Sequence, residues 1–307
     1  MRGPGSSLAA AILLAGCGGG GRAEPRIRVE EPSRLDLLTR VPPVVHAVVD
    51  GRPGLPFLLD SGASVTSLDL GRAQALGLRL RSSSRPGTTR GSDGRTVPLE
   101  RYAVLGRLEL GAVLVEGLAV PVIESEATAV PGWFGILGQD VLARFPVVLD
   151  AERGHVHFLP PSTDEGSVRR YLEEAKLGKG KWAVAPAPFR PSPFLAFDVA
   201  GLEPGTIELE IDTGSTATSL PQAAIRALGL EPVGTFESRT IAGTERGETY
   251  LVRGMDLFGL KVTAEVGESR LEYGLLGMDV LRELVLVLDG PGGKIWLHKR
   301  EEEAEGR

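Results

Sequence analysis

The chain has 307 residues, 42% of them hydrophobic and 24% charged, long enough for two domains of ordinary size and typical of a soluble globular protein. Its formal net charge of −6 excludes the basic footprint of a nucleic-acid binder, and its one cysteine, Cys17, excludes an intramolecular disulfide. The 41 glycines and 22 prolines favour many short strands joined by turns.

Arg2 precedes a short apolar run at residues 8–14. That run is too short to cross a bilayer and reads as the core of a signal peptide over residues 1–16. Leu14-Ala15-Gly16-Cys17 is similar to the bacterial lipobox, which implies lipidation of Cys17 and a protein anchored in the bacterial cell envelope. An ordinary secretory signal with a chance cysteine would give a secreted protein instead. Residues 17–40, first Gly-rich and then rich in Arg, Glu and Pro, read as a flexible tether.

Residues 44–49 and 55–59 are strand-like and flank turn residues 50–54, and the second strand ends in Asp60. Residues 194–199 and 207–211 repeat the pattern around a turn at 201–205 and end in Asp212. Residues 57–68 read FLLDSGASVTSL and residues 209–220 read LEIDTGSTATSL. A short helix follows each, at 71–78 and 221–230, and both end in Ala-Leu-Gly-Leu. Further on come GILGQDVL at 135–142 and GLLGMDVL at 274–281, then apolar strands ending in Asp150 and Asp289. A repeat of this length means two homologous lobes, here 41–160 and 191–300, each presenting one Asp. Residues 161–190 read as an interlobe segment with a helix at 167–177 and a Gly/Lys/Pro-rich linker, and 301–307 as a charged tail.

Asp-Ser/Thr-Gly after an apolar run, paired with a downstream apolar-apolar-Gly loop, resembles the aspartic peptidases. The compact spacing is similar to the retropepsin-like branch, with both halves fused in one chain as in pepsin-like enzymes. The resemblance implies an all-β, bilobal fold of two closed or nearly closed β lobes, a peptide or protein substrate, no cofactor, and a monomer with intramolecular lobe pairing. It makes Asp60 and Asp212 the catalytic pair, supported by Ser61, Gly62, Thr213, Gly214 and Ser215. Two close carboxylates cannot both ionise cheaply, so they share a proton. One member then takes a proton from water while the other donates to the carbonyl oxygen. Ser61 and Thr213 are expected to bond to the opposite loop, and the glycines to permit close approach. Ser215 is expected to donate to its carboxylate where Ala63 cannot, leaving Asp60 the weaker hydrogen-bond shell.

Polar, Gly-containing segments lie 30 and 28 residues after each Asp (60 to 90, 212 to 240). They are candidate flaps, with Gly91, Ser92, Asp93, Gly94, Ala242 and Gly243 at the tips, or plain surface hairpins. Asp140 and Asp279 read as helix caps, and Asp150 and Asp289 as turn-formers. Trp133 and Phe134 read as core or cleft wall. The four histidines, His46, His155, His157 and His298, lack zinc spacing, and His155 and His157 are expected to face solvent on an edge strand. No nucleophile elbow or phosphate-binding Gly-loop is present. Two rivals to a peptidase remain: a catalytically silent peptide-binding envelope lipoprotein, and a structural envelope protein whose Asp motifs pin the lobes.

Overall fold

The computed structural model describes residues 24–91, 93–124, 132–178, 182–189, 192–197, 207–241 and 243–300. The signal segment, Cys17, residues 17–23, Ser92, the 201–205 turn, Ala242 and the charged tail lie outside the described residues.

The fold is all-β and bilobal, with a few short helices. In the first lobe, Pro43–Val49 and Arg52–Leu59 form a hairpin whose turn residues Asp50 and Gly51 both take left-handed φ, 48° and 78°. Two such residues are what a tight primed turn needs. Thr96–Leu110 pairs with both Pro43–Val49 and Val113–Ile123. With Ser67–Asp69 and Gly135–Leu137 between the remaining edges, these strands close into a ring. The second lobe runs in the same order, and its described strands form a seven-stranded sheet from Phe194–Phe197 to Pro232–Thr240. The two Ala-Leu-Gly-Leu segments end helices Leu70–Ala75 and Gln222–Ala227, where Gly77 and Gly229 take the left-handed φ of a helix stop.

A six-stranded sheet joins the lobes, and it corrects three expectations. Its centre pairs Pro146–Asp150 of lobe one with Leu284–Asp289 of lobe two, so the two homologous apolar strands meet each other. The supposed tether contributes Ser33–Asp36, paired with His155–Phe158, while Arg26–Val29 pairs with Val113–Ile123 and Thr39–Arg40 with Pro43–Val49. Backbone pairing, more than burial, holds this polar segment: only Val29 among its strand residues is buried. The supposed linker contributes Ala183–Pro186, paired at the sheet edge with Lys294–Lys299. Pro186 is tolerated there because it closes an edge strand.

Both faces of this sheet are covered, which explains why its central strands are apolar throughout rather than alternating. Val147, Leu149, Leu286 and Leu288 join the main core. Val148, Val285, Val287 and Trp296 meet Val168 and Leu172 on the helix Glu165–Glu174, whose start is capped by Asp164. The histidine expectation fails for the same reason. His155–Phe158 lies inside the sheet, His157 is buried with Nδ1 2.8 Å from the Tyr171 hydroxyl, and burial pushes it down to about 4, so it is neutral. Phe134 is core, stacked edge-on against Phe57, while half-buried Trp133 packs on Val44, Leu58 and Ile136. Asp150 and Asp289 do accept from turn N–H groups, of Arg153 and Gly292, and Asp150 also pairs with Arg300.

Trp296→Ala removes the largest fully buried side chain beneath the helix. It is expected to cost about 3–5 kcal/mol, read as a lower denaturant midpoint.

Candidate active site

Each lobe delivers its Asp in the same way. The strand before it runs parallel to the Gly-loop strand, Arg52–Leu59 beside Gly135–Leu137 and Ile207–Ile211 beside Gly274–Leu276. The Asp60 N–H then donates to Leu137 O at 3.0 Å, and the Asp212 N–H to Leu276 O at 3.0 Å. A threonine fixes each Gly-loop from behind. Thr66 Oγ1 accepts from the Gly138 N–H at 3.1 Å and donates to Asp140 at 2.7 Å; Thr218 does the same with Gly277 at 3.1 Å and Asp279 at 2.7 Å. Asp140 and Asp279 thus latch the loops, and they also accept from first-turn N–H groups as expected, Asp279 Oδ1 from Val280 at 3.0 Å and Asp140 from Val141, while the N-cap positions themselves are Gly138 and Gly277, with no side-chain bond.

The two Asp loops cross. Ser61 Oγ donates to Ile211 O at 2.5 Å and accepts from the Thr213 N–H at 3.0 Å. Thr213 Oγ1 donates to Leu59 O at 2.7 Å and accepts from the Ser61 N–H at 3.0 Å. Each hydroxyl thus reaches the backbone of the other lobe, and both residues are buried. The approach is so close that a Cβ on Gly62 would lie 2.7 Å from Asp212 Cγ, and one on Gly214 would lie 2.4 Å from Asp60 Cγ. Only glycine fits at either position.

The result is two carboxyls within hydrogen-bonding reach of each other. Asp60 Oδ1 accepts from the N–H groups of Gly62 and Ala63, both at 2.9 Å. Asp212 Oδ1 accepts from those of Gly214 at 2.9 Å and Ser215 at 3.0 Å. The shells match, and the expected Ser215 asymmetry is absent: Ser215 Oγ donates to Ala217 O at 2.8 Å. Burial pushes both carboxyls above the ordinary carboxylate range. For Asp60 the charge of Asp212 adds to this. For Asp212 the N–H groups of Ser215 and Gly214, and a bond from Asp60, oppose it. One proton shared between them is the low-energy arrangement.

The candidate flaps are the hairpins Arg81–Arg90 with Thr96–Leu110, and Pro232–Thr240 with Gly243–Leu257. Their tips meet across the lobes. Asp93, 3% exposed, accepts from Arg95 N–H at 3.0 Å, Arg95 Nε at 2.6 Å and Thr240 Oγ1 at 2.9 Å. Arg95 Nη2 also reaches Thr244 O at 3.2 Å, and Gly91 and Gly94 shape the turn that aims Asp93. Burial pushes Asp93 up, but the bonds from Arg95 and Thr240 and the Arg95 charge outweigh it and hold the carboxyl below its ordinary value. Gly243, φ 126°, lies under the Arg95 guanidinium.

Sequence reasoning missed Thr66, Thr218, Gln139 and the inter-flap contact. The threonines were visible in the repeated Thr-Ser-Leu ending. Gln139, whose Nε2 donates to Ser61 O at 2.9 Å, has Met278 as its counterpart and leaves no repeated signal.

Residues 45–141 match the family model described as aspartyl protease, and residues 203–283 match that of the gag-polyprotein aspartyl protease. No curated protein matches the chain. The matched stretches contain the two Asp loops and their Gly-loops.

Two expectations follow from the site. The folded value of Asp60 lies above its unfolded one, so its charged form weakens the fold only as pH rises through the unfolded carboxylate range. Asp60→Asn should therefore raise the thermal midpoint near neutral pH and leave it unchanged at about pH 3, below that range. An equal shift at both would contradict the shared-proton pair. Ala63→Ser should leave the acidic limb of any pH–rate profile in place, because the new hydroxyl has a backbone carbonyl to bond to, as Ser215 does.

Proposed function

From a chain that carries two aspartyl-protease domains facing each other, we propose an aspartic endopeptidase that hydrolyses peptide bonds between Asp60 and Asp212. The observation that carries this reading is the crossed pair of loops that brings both carboxyls within reach of one proton. A water between them gives a proton to the charged carboxyl as its oxygen attacks the peptide carbon. The protonated carboxyl donates to the carbonyl oxygen. When the tetrahedral species collapses, that hydroxyl returns its proton, the amine nitrogen takes the other, and the pair recovers its single proton.

The flap hairpins supply strand edges along which an extended substrate adds main-chain hydrogen bonds. The tip contact between Asp93 and Thr240 closes the site over it, and water is kept from the reacting bond. The Leu14–Cys17 motif supports a lipid anchor and a site of action in the bacterial cell envelope.

The test is cleavage of a diverse peptide library across the acidic to neutral range, with Asp60→Asn and Asp212→Asn beside the wild type. Each substitution is expected to abolish turnover, by at least about 1,000-fold. Folded wild-type protein that cleaves nothing at any pH would replace the peptidase with the peptide-binding reading.

A further inference from the structure

The second lobe holds a cavity of about 590 Å³ that this mechanism does not use. It lies among the hairpin Pro232–Thr240 with Gly243–Leu257, the segment after Leu260–Ser269 and the start of the helix Gln222–Ala227. Two glycines give Phe236 its place in the wall: a Cβ on Gly247 would lie 2.6 Å from the ring and one on Gly267 3.1 Å. Buried Leu271 adds to the apolar lining. The first lobe is built differently at the matching positions. Leu68 pairs with Val122, and its counterpart Leu220 pairs with Glu268, so Gly267 and Glu268 stand where the first lobe has Pro121 and the core residue Val122. The aligned Gly-loops set Glu272 against Trp133 in the same way. Apolar side chains therefore satisfy packing at these positions, and two carboxylates there call for another reason.

Charge narrows what the cavity can take. Of its two guanidinium groups, Arg270 pairs with Glu245 at 3.4 Å, and Arg246 pairs with Glu237, outside the lining, at 2.7 Å. Glu268 accepts from the Tyr250 hydroxyl at 2.9 Å, Glu272 is exposed, and neither has a cationic partner among the described residues. Two carboxylates beside an aromatic ring suit a cation on a long aliphatic stem. The cavity also adjoins the candidate site. A Cβ on Gly94, at the first-lobe flap tip, would lie 3.7 Å from Arg270 Cβ, and Glu272 precedes Tyr273, whose hydroxyl bonds to Glu210, two residues before Asp212.

We infer that the cavity is a specificity pocket for one lysine or arginine of the substrate, near the scissile bond on the second lobe's side, with the stem on Phe236 and the cation between Glu268 and Glu272. The inference rests on the aspartic-peptidase reading.

The test uses peptides carrying one lysine or arginine at each position in turn, and the same peptides with norleucine there. The wild type should favour the basic peptide about tenfold in kcat/KM at one fixed distance from the cut. Glu268→Gln combined with Glu272→Gln should remove that preference. No basic preference in the wild type, or one that survives the double substitution, overturns the inference and leaves the peptidase reading standing. Should the double variant fail to fold, Glu272→Lys at its exposed position serves: the preference should turn from lysine toward glutamate, and an unchanged preference overturns the inference. If the wild type cuts nothing, calorimetry with the same peptides decides. A basic peptide bound about tenfold more tightly than its norleucine partner, with the difference lost in the double variant, supports the pocket and sinks the peptidase reading; equal binding overturns the pocket as well.

Discussion

Everything at this site depends on two hydroxyls that cross from one lobe to the other. Ser61 and Thr213 are buried, and each bonds a carbonyl and an N–H belonging to the opposite loop. A buried hydroxyl without partners costs about 1–3 kcal/mol, so neither lobe can retreat without exposing or orphaning these groups. The crossing forces the loops together, the closeness requires Gly62 and Gly214, and the closeness in turn brings two carboxyls into mutual repulsion that one proton relieves. The fold thus spends stability to hold an arrangement it would otherwise avoid, which is common where a site must be ready to react.

The grip needs a rigid frame, and the six-stranded sheet provides it. Lobe one gives Pro146–Asp150, lobe two gives Leu284–Asp289, and their pairing makes the lobe boundary a continuous ladder instead of a flexible joint. The helix Glu165–Glu174 seals the outer face of that sheet, so the segment between the lobes is itself structural. The tips of the two candidate-flap hairpins touch through Asp93 and Thr240, so the lobes are also joined by a hydrogen-bonded contact away from the sheet.

The duplication is close but not symmetric, and the asymmetries fall near the carboxyls. Gln139 reaches Ser61 where Met278 is only core. Leu58 packs apolar neighbours where Glu210 gathers hydroxyls. Two chemically identical groups on matching loops therefore feel different surroundings.

The sequence by itself determined the lobes, the two Asp loops with their glycines and hydroxyls, and the hairpins that follow them, because each depends on local patterns that occur twice: apolar runs of strand length, a turn glycine, an Asp at a fixed place. It misread residues 24–40 and 183–186 as tether and linker, since their composition is polar and their order comes from backbone pairing with strands far along the chain. It misplaced His157 for the same reason, as alternation shows two faces but not what covers them. The bonding of Ser215, Asp140 and Asp279 was also beyond it, because a hydroxyl or carboxylate has several partners within reach and the choice is made by loop geometry. Only the tertiary structure decided how the homologous strands meet, what Glu210 faces, and how closely the two Asp loops approach, since these are contacts between residues far apart in the chain, whose approach depends on loop closure and packing that no local pattern encodes.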